Sequence, residues 1–325
     1  MSPTGIVHEI VAEQGVLILD GGLATELEAQ GCDLNNDLWS ARVLIEEPEK
    51  IKRVHLDYLV AGSDCIVTSS YQATVQGFVQ SGLSSKEARD LLLRSVDLGI
   101  EAREEFRHRR RNRRGRVRPL IAASIGPYGA YLADGSEFRG DYDLTVDDLY
   151  DFHRPRWEIL ASSDADLLAC ETIPSGPEAE ALGRLIEETP EREVWISFTC
   201  PTVSAISDGT DLRSVAADLA QLENIAAIGV NCTAPKLIPE LVKVLSEASD
   251  KPIVVCPNSG EIWHQESRQW LPGDPQLDLA AKAVRWRELG ARLIGGCCRT
   301  NPKYIRRLRS MLGVEARQVV EARLD

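Results

Sequence analysis

Eight short apolar runs, spread along the whole chain, restrict its fold more than any other feature. They are VLILDGG (16–22), CIVTSS (65–70), LIAASIG (120–126), LLACETI (167–173), VWISFTC (194–200), IAAIGVNC (225–232), IVVCPNSG (253–260) and RLIGGCC (292–298). Each is apolar almost throughout instead of alternating with polar residues, which is the pattern of a strand covered on both faces. Amphipathic stretches lie between them. PEKIKRVHLDYLVAG opens with Pro48 and Glu49, places Ile51, Val54, His55, Tyr58 and Leu59 on one face, and stops at Gly62. DPQLDLAAKAVRWRELGA ends in the same way at Gly290. Strand and helix alternating eight times predict an α/β chain folded as a single-domain (β/α)8 TIM barrel, covering 1–325 with its core at about 16–310. A doubly wound open sheet has the same periodicity. The count of eight and the lack of a GxGxxG turn favour the barrel.

The formal charge of −13, from 50 acids against 37 bases, opposes general polyanion binding. One segment runs the other way: FRHRRRNRRGRVRP (106–119) precedes the third strand, so a barrel puts it on the N-terminal face, away from the active-site face. It reads as a solvated helix end, with a nucleic-acid patch as the rival. No apolar run approaches the ~18 residues that span a membrane, and the first residues lack a basic stretch followed by a long apolar one. Eight cysteines without a secretory signal are expected to be reduced thiols in the cytoplasm. Neither a nucleic-acid nor a membrane partner is expected, and oligomeric state is left open.

In a barrel the C-terminal strand ends meet at one mouth. Those ends supply Asp20, Gly21 and Gly22; Thr68 and Ser69, with Tyr71 and Gln72 just beyond; Gly126 and Tyr128; Glu171 and Thr172; Asn231 and Cys232; Asn258 and Ser259; and Cys297 and Cys298. Thiols, acids and amides converge there without a histidine; His55 and His153 read as helix residues. Neighbouring cysteines on a regular strand would point to opposite faces. Gly295 and Gly296 allow a bend that aims both sulfurs at one point. Three readings then compete: plain burial, a vicinal disulfide, and a metal site in which both thiolates join a third to hold Zn²⁺ with one position open. Cys170, Cys200, Cys232 and Cys256 all lie near strand ends, and residue chemistry alone does not choose among them.

The motifs DGGLATELEAQG, SYQAT, GPYGAYLADGSEFRGDY, FHRPR, LLACETIP, GVNC, PNSGE and GGCCRT resemble the homocysteine S-methyltransferase family, most closely its S-methylmethionine-using branch. The resemblance covers about residues 16 to 310. It implies one zinc ion held by Cys232, Cys297 and Cys298, with L-homocysteine and a sulfonium methyl donor as small-molecule substrates and methionine as product. Asp20 and Glu171 are then placed for the acceptor's ammonium, and the amides of Gly21 and Gly22 for its carboxylate. Asn231 and Asn258 bind substrate or orient ligands. Trp39, Tyr71, Gln72 and Tyr128 are the expected donor contacts, aromatic faces suiting a sulfonium. Rival readings are S-adenosylmethionine as donor, a selenium-containing acceptor, and a non-catalytic zinc- or thiol-binding barrel.

Overall fold

The computed structural model describes residues 5–34, 40–264, 269–274 and 276–314. Every apolar run contains a strand: β1 (Leu17–Ile18), β2 (Cys65–Val67), β3 (Leu120–Ile125), β4 (Leu167–Ile173), β5 (Val194–Phe198), β6 (Ile225–Asn231), β7 (Ile253–Cys256) and β8 (Ala291–Ile294). All neighbours pair in parallel, β2 through β8 in chain order and β8 then with β1. This sequential order is that of a ring. A doubly wound sheet would reverse direction at a switch point.

The ring closes between β1 and β2 over a thin seam. Asp64 N–H donates to Ile18 O (2.6 Å), and Ile18 N–H donates to the Asp64 carboxylate (3.3 Å). Val67 N–H donates to Asp20 Oδ2 (2.9 Å). Two carboxylates thus do part of what a backbone ladder does elsewhere.

Period-two alternation divides each strand between two cores. Leu17, Leu19, Leu120, Leu167, Trp195, Val254 and Leu293 fill the barrel interior; Ile18, Ile66, Ile121, Leu168, Ile196 and Val255 face the helices. An N-terminal helix, Ile6–Gln14, adds Val7 and Ile10 to the interior cluster. Its first turn is fixed by Ile6 N–H donating to Glu193 (2.6 Å), the residue before β5, so it plugs the N-terminal end. At Gly229 in β6, a Cβ would sit 2.0 Å from Val254 O; the sheet leaves no room there for any side chain.

The helices follow the sequence pattern. Pro48–Ala61 starts on its proline, and Ser85–His108 and Val146–Ala161 start on capping boxes, Ser84 with Glu87 and Thr145 with Asp148. The antiparallel pair Ile262–His264 and Gln269–Leu271 was not visible in the strand–helix rhythm. The arginine-rich run lies on the N-terminal face, as expected. Part of it is structural: Arg116 pairs with Asp64 (3.3 Å) and Arg118 with Asp166 (3.0 Å). Arg109, Arg110, Arg111, Arg113 and Arg114 are exposed. Among the described residues no helix is long and apolar enough to cross a membrane.

Candidate metal centre and substrate mouth

β8 ends at Gly295 and Gly296, where the chain crosses from one neighbour to the other. Gly295 N–H donates to Val255 O (3.0 Å), and Gly296 N–H to Asp20 O (2.9 Å). A Cβ on Gly295 would lie 2.6 Å from Asp20 O, so the backbones meet directly. Cys297 N–H then donates to Pro257 O (2.9 Å), and the Thr300 hydroxyl to Cys297 O (2.7 Å). Arg299 takes φ 65° and completes a turn. On the other side of β7, Cys232 takes φ 48° and donates its N–H to Cys256 O (3.1 Å). The result is convergence: the Sγ atoms of Cys232, Cys297 and Cys298 all lie within 4.8 Å of one another, the only such group of potential metal ligands among the described residues.

The spacing suits a metal. Tetrahedral thiolate coordination at ~2.3 Å puts sulfurs ~3.8 Å apart, and Cys232 and Cys298 are separated by 3.9 Å. Cys232 and Cys297, with Cα atoms 5.5 Å apart, bring their sulfurs together from β6 and from the turn after β8, and Cys298 lies beside them. The three thiols that the sequence reading grouped therefore meet at one point. Cys170 and Cys200 are buried away from this cluster, and burial pushes the Cys200 thiol up to about 12.

Among the described residues, five that are not glycine have positive φ: Ala133, Asp143, Thr172, Cys232 and Arg299. All follow or end β3, β4, β6 or β8 at the C-terminal mouth. Backbone strain of ~1–3 kcal/mol per residue persists where the surroundings over-determine it, and it clusters at functional sites. Asn231 shows how one such residue is held. Its Oδ1 accepts from Thr172 N–H (2.7 Å) and Ser197 Oγ (3.0 Å), its Nδ2 donates to Thr172 Oγ1 (2.7 Å), and Thr172 Oγ1 donates in turn to Cys232 Sγ (3.8 Å). Asn231 thus ties β4, β5 and β6 together behind the Cys232 thiol.

Below the thiols, Asp20 and Glu171 bring two carboxylates to the mouth. Burial pushes Glu171 up to about 7, opposed by a hydrogen bond from Ser124 Oγ. Burial raises Asp20 well above the carboxylate range, with the charge of Glu171 adding to the rise and Val67 N–H opposing it. Burial thus opposes the ionised form of both groups, and a nearby cation would favour it.

Of the two glycines expected to offer their amides, Gly22 has its N–H engaged within the protein. Gly22 N–H is already donated to Thr300 O (3.3 Å) and Oγ1 (3.2 Å). A Cβ on Gly21 would meet Thr300 Oγ1 at 2.7 Å and the Tyr58 hydroxyl at 2.9 Å, and one on Gly22 would meet Cys297 O at 2.9 Å. Their missing side chains make room for the β8 turn. Asn258 Oδ1 is buried without a partner. Gln72 anchors the loop after β3 by donating to Ala130 O (3.2 Å), leaving its Oε1 unpaired. Tyr128 stands half-buried among Tyr131, Tyr142 and Phe152, its ring 4.8 Å from that of Phe152. Trp39 lies outside the described residues.

The sequence reading missed Arg156, His153 and Glu178. Arg156, buried in the helix after that loop, donates to Tyr71 O (3.2 Å), Ala73 O (3.5 Å) and Gly126 O (2.6 Å), and also meets His153 Nδ1 (2.9 Å). His153 Nε2 meets Glu178 Oε1 (2.8 Å), which also accepts from Tyr128 N–H (2.5 Å). The FHRPR motif contained the signal, two basic side chains one turn apart on a helix whose apolar face is buried.

A parallel eight-stranded barrel with three convergent thiols and the carboxyls of Asp20 and Glu171 at its C-terminal mouth has the layout of a barrel enzyme with a candidate thiol metal centre. A family model described as homocysteine S-methyltransferase matches residues 17–312. A Bacillus subtilis protein named homocysteine S-methyltransferase YbgG is 50% identical over 302 residues, covering 93% of this chain and 96% of that protein. An Escherichia coli homocysteine S-methyltransferase is 46% identical over 311 residues, covering 95% and 99%. The crystal structure described as the metallated form of the homocysteine methyltransferase MmuM from Escherichia coli superimposes with a TM-score of 0.84 at 44% identity, covering 94% of this chain and 99% of that one. Its form described as oxidized gives 0.85. The chain belongs to the homocysteine S-methyltransferase family and is an enzyme of that class.

Proposed function

We propose that the protein transfers a methyl group from a sulfonium donor, S-methylmethionine, to the thiol of L-homocysteine. Both products are then methionine. The single observation that carries the reading is the convergence of the Cys232, Cys297 and Cys298 sulfurs within 4.8 Å of one another, a three-thiol donor set that suits zinc with one position left open. Zinc bound there supplies thiolate activation, since a coordinated thiol loses its proton at neutral pH.

The chain's own residues supply placement. Asp20 and Glu171 take the acceptor's ammonium, whose charge favours their ionised form. Asn258 Oδ1, unpaired and buried, offers a hydrogen-bond acceptor at the rim. Asn231 and Thr172 fix the orientation of Cys232. The loop after β3 covers the mouth and limits water. The leaving group is a neutral thioether, so no general acid is needed, in keeping with a buried His153 whose Nε2 is taken up by Glu178. The centre works only with reduced thiols, which fits a cytoplasmic enzyme.

The test measures methionine formation from homocysteine with S-methylmethionine and with S-adenosylmethionine, alongside zinc content. Cys298→Ala is expected to lose bound zinc and at least 99% of activity, as loss of one of three ligands should. Full activity in a metal-free variant would reject the zinc–thiolate reading. A preference for S-adenosylmethionine would reject the donor.

A further inference from the structure

Cys297 and Cys298 share one rigid peptide plane. The two dihedrals that flank it, ψ of Cys297 and φ of Cys298, set how the two side chains are turned relative to each other. On a regular strand they would send neighbouring side chains to opposite faces. In the turn after β8 both sulfurs reach the same cluster. The carbonyl of the plane, Cys297 O, accepts twice from Thr300: from the hydroxyl (2.7 Å) and from the N–H (3.2 Å). Backbone groups hold the two ends of the dipeptide, Pro257 O at Cys297 N–H (2.9 Å) and Ser259 N–H at Cys298 O (3.0 Å). With the ends and the plane between them all held, both dihedrals are fixed.

Thr300 is itself buried and braced from several sides. Its Oγ1 accepts from Gly22 N–H (3.2 Å) while donating to Cys297 O, so one hydroxyl joins the end of β1 to the thiol turn. With its hydrogen and a lone pair both in use, that hydroxyl is not free to rotate. The Thr300 carbonyl accepts from Gly22 N–H (3.3 Å) and from the hydroxyl of Tyr58 (3.1 Å), which lies on the buried face of the helix Pro48–Ala61. Before it, Arg299 N–H donates to Thr25 Oγ1 (3.0 Å). After it, Asn301 caps the helix Pro302–Met311, and Tyr304 of that helix donates back to Gly295 O (2.9 Å). A Cβ on Gly296 would collide with the Thr300 side chain, so the glycine before the cysteine pair leaves the space that the threonine fills.

We propose that the Thr300 hydroxyl is a positioning group of the thiol centre: it locks the Cys297–Cys298 peptide plane in the orientation that aims both sulfurs at Cys232. The inference rests on that centre being a metal site, as proposed above. Thr300 offers no sulfur or carboxylate to the metal and acts through the carbonyl between two of its ligands. Its effect is on preorganisation. A turn that already holds its sulfurs together loses less freedom when a metal binds than one that must first be ordered. Groups that orient metal ligands in this way tune affinity and geometry without entering the coordination sphere.

The experiment takes the full chain, reduced and freed of metal, and titrates it anaerobically with Co²⁺ as an optical probe of the thiol centre. Wild type should take up one equivalent, with the intense charge-transfer band of thiolate ligation and the visible bands of a tetrahedral ion. Thr300→Val keeps the shape of the side chain and removes the hydroxyl. Gly22 N–H and Cys297 O each retain a bond to the Thr300 backbone, so the barrel still forms. Circular dichroism and the urea midpoint of the metal-free protein check this. The Co²⁺ affinity of Thr300→Val should fall ~10–100-fold, the range for loss of a group that orients a metal ligand, and its visible bands should shift or weaken. Thr300→Ser should bring back both. Wild-type affinity and bands in Thr300→Val overturn the proposal. A lowered urea midpoint with unaltered affinity and bands overturns it as well, because the hydroxyl would then be a fold contact only. So does a Thr300→Ser variant no better than Thr300→Val. Wild type that takes up no Co²⁺ on its thiolates rejects the metal centre together with the proposal. Thr300-dependent uptake in an enzyme that forms no methionine supports the positioning role while rejecting the reaction.

Discussion

Replacing Asn231 by alanine tests whether the strand ends are organised around the thiol centre. Its amide, 2% exposed, makes three hydrogen bonds: with Thr172 N–H, Ser197 Oγ and Thr172 Oγ1. The two hydroxyls can rotate towards other partners, at ~0.5–1.5 kcal/mol each. Thr172 N–H cannot, and an orphaned buried donor costs ~1–3 kcal/mol. Thr172 itself sits at φ 62°, a conformation costing a residue with a side chain ~1–2 kcal/mol, and the Asn231 amide is what holds it there. Relaxation of Thr172 recovers some of that strain, so the expected loss is ~3 kcal/mol. Thr172 Oγ1 also supports Cys232 Sγ (3.8 Å), and loss of such a support typically weakens metal binding by ~10–100-fold. Urea unfolding of the reduced protein reads the first quantity, and zinc competition against a chelator reads the second. A loss below ~1 kcal/mol together with unaltered zinc affinity would refute the reasoning, because the amide would then be a passive filler.

His55 gives a pH prediction. Both ring nitrogens are buried without partners, and burial lowers its pKa from 6.5 to about 4. The depressed value favours the neutral ring in the folded state. Its contribution is fully present above pH ~6.5 and falls progressively as pH drops towards about 4, reaching ~3 kcal/mol; urea midpoints between pH 4 and 7.5 should show this slope, and His55→Leu should flatten it. Arg156→Met strips the donors from three buried carbonyls, at Tyr71, Ala73 and Gly126. It should cost ~2–4 kcal/mol in thermal or urea unfolding and raise the KM for the donor more than that for homocysteine, because the loops it clamps border the outer mouth.

The ring of strands was legible because a doubly covered strand must be apolar along its whole length, and all eight runs say so. The thiol centre was legible as far as Cys297 and Cys298, where paired glycines announce a bend. The third thiol needed family likeness, since Cys170, Cys200, Cys232 and Cys256 all lie near strand ends, and what separates Cys232 is a left-handed turn and a sulfur that meets those of Cys297 and Cys298. The burial of Glu137, in the turn Ser136–Phe138 after β3, was unreadable for a different reason. DGSEFRGD has the composition of an exposed turn, and its carboxylate is buried only because the loop folds back onto the glycine at 129 and the end of β4. Gly21 and Gly22 were read for close approach. They do provide it, but to Tyr58, Thr300 and Cys297.

Asp20 has one oxygen committed to Val67 N–H, across the seam between the first and second strands. The carboxylate proposed to greet the acceptor is therefore also a clasp in the barrel wall. Any event that shifts its charge or angle is transmitted to the thinnest joint of the ring, so acceptor occupancy and wall integrity share one side chain. An Asp20 substitution that removes activity must accordingly be judged against amide exchange at Val67: fast exchange there signals an opened wall, and slow exchange with lost activity signals a missing ligand contact.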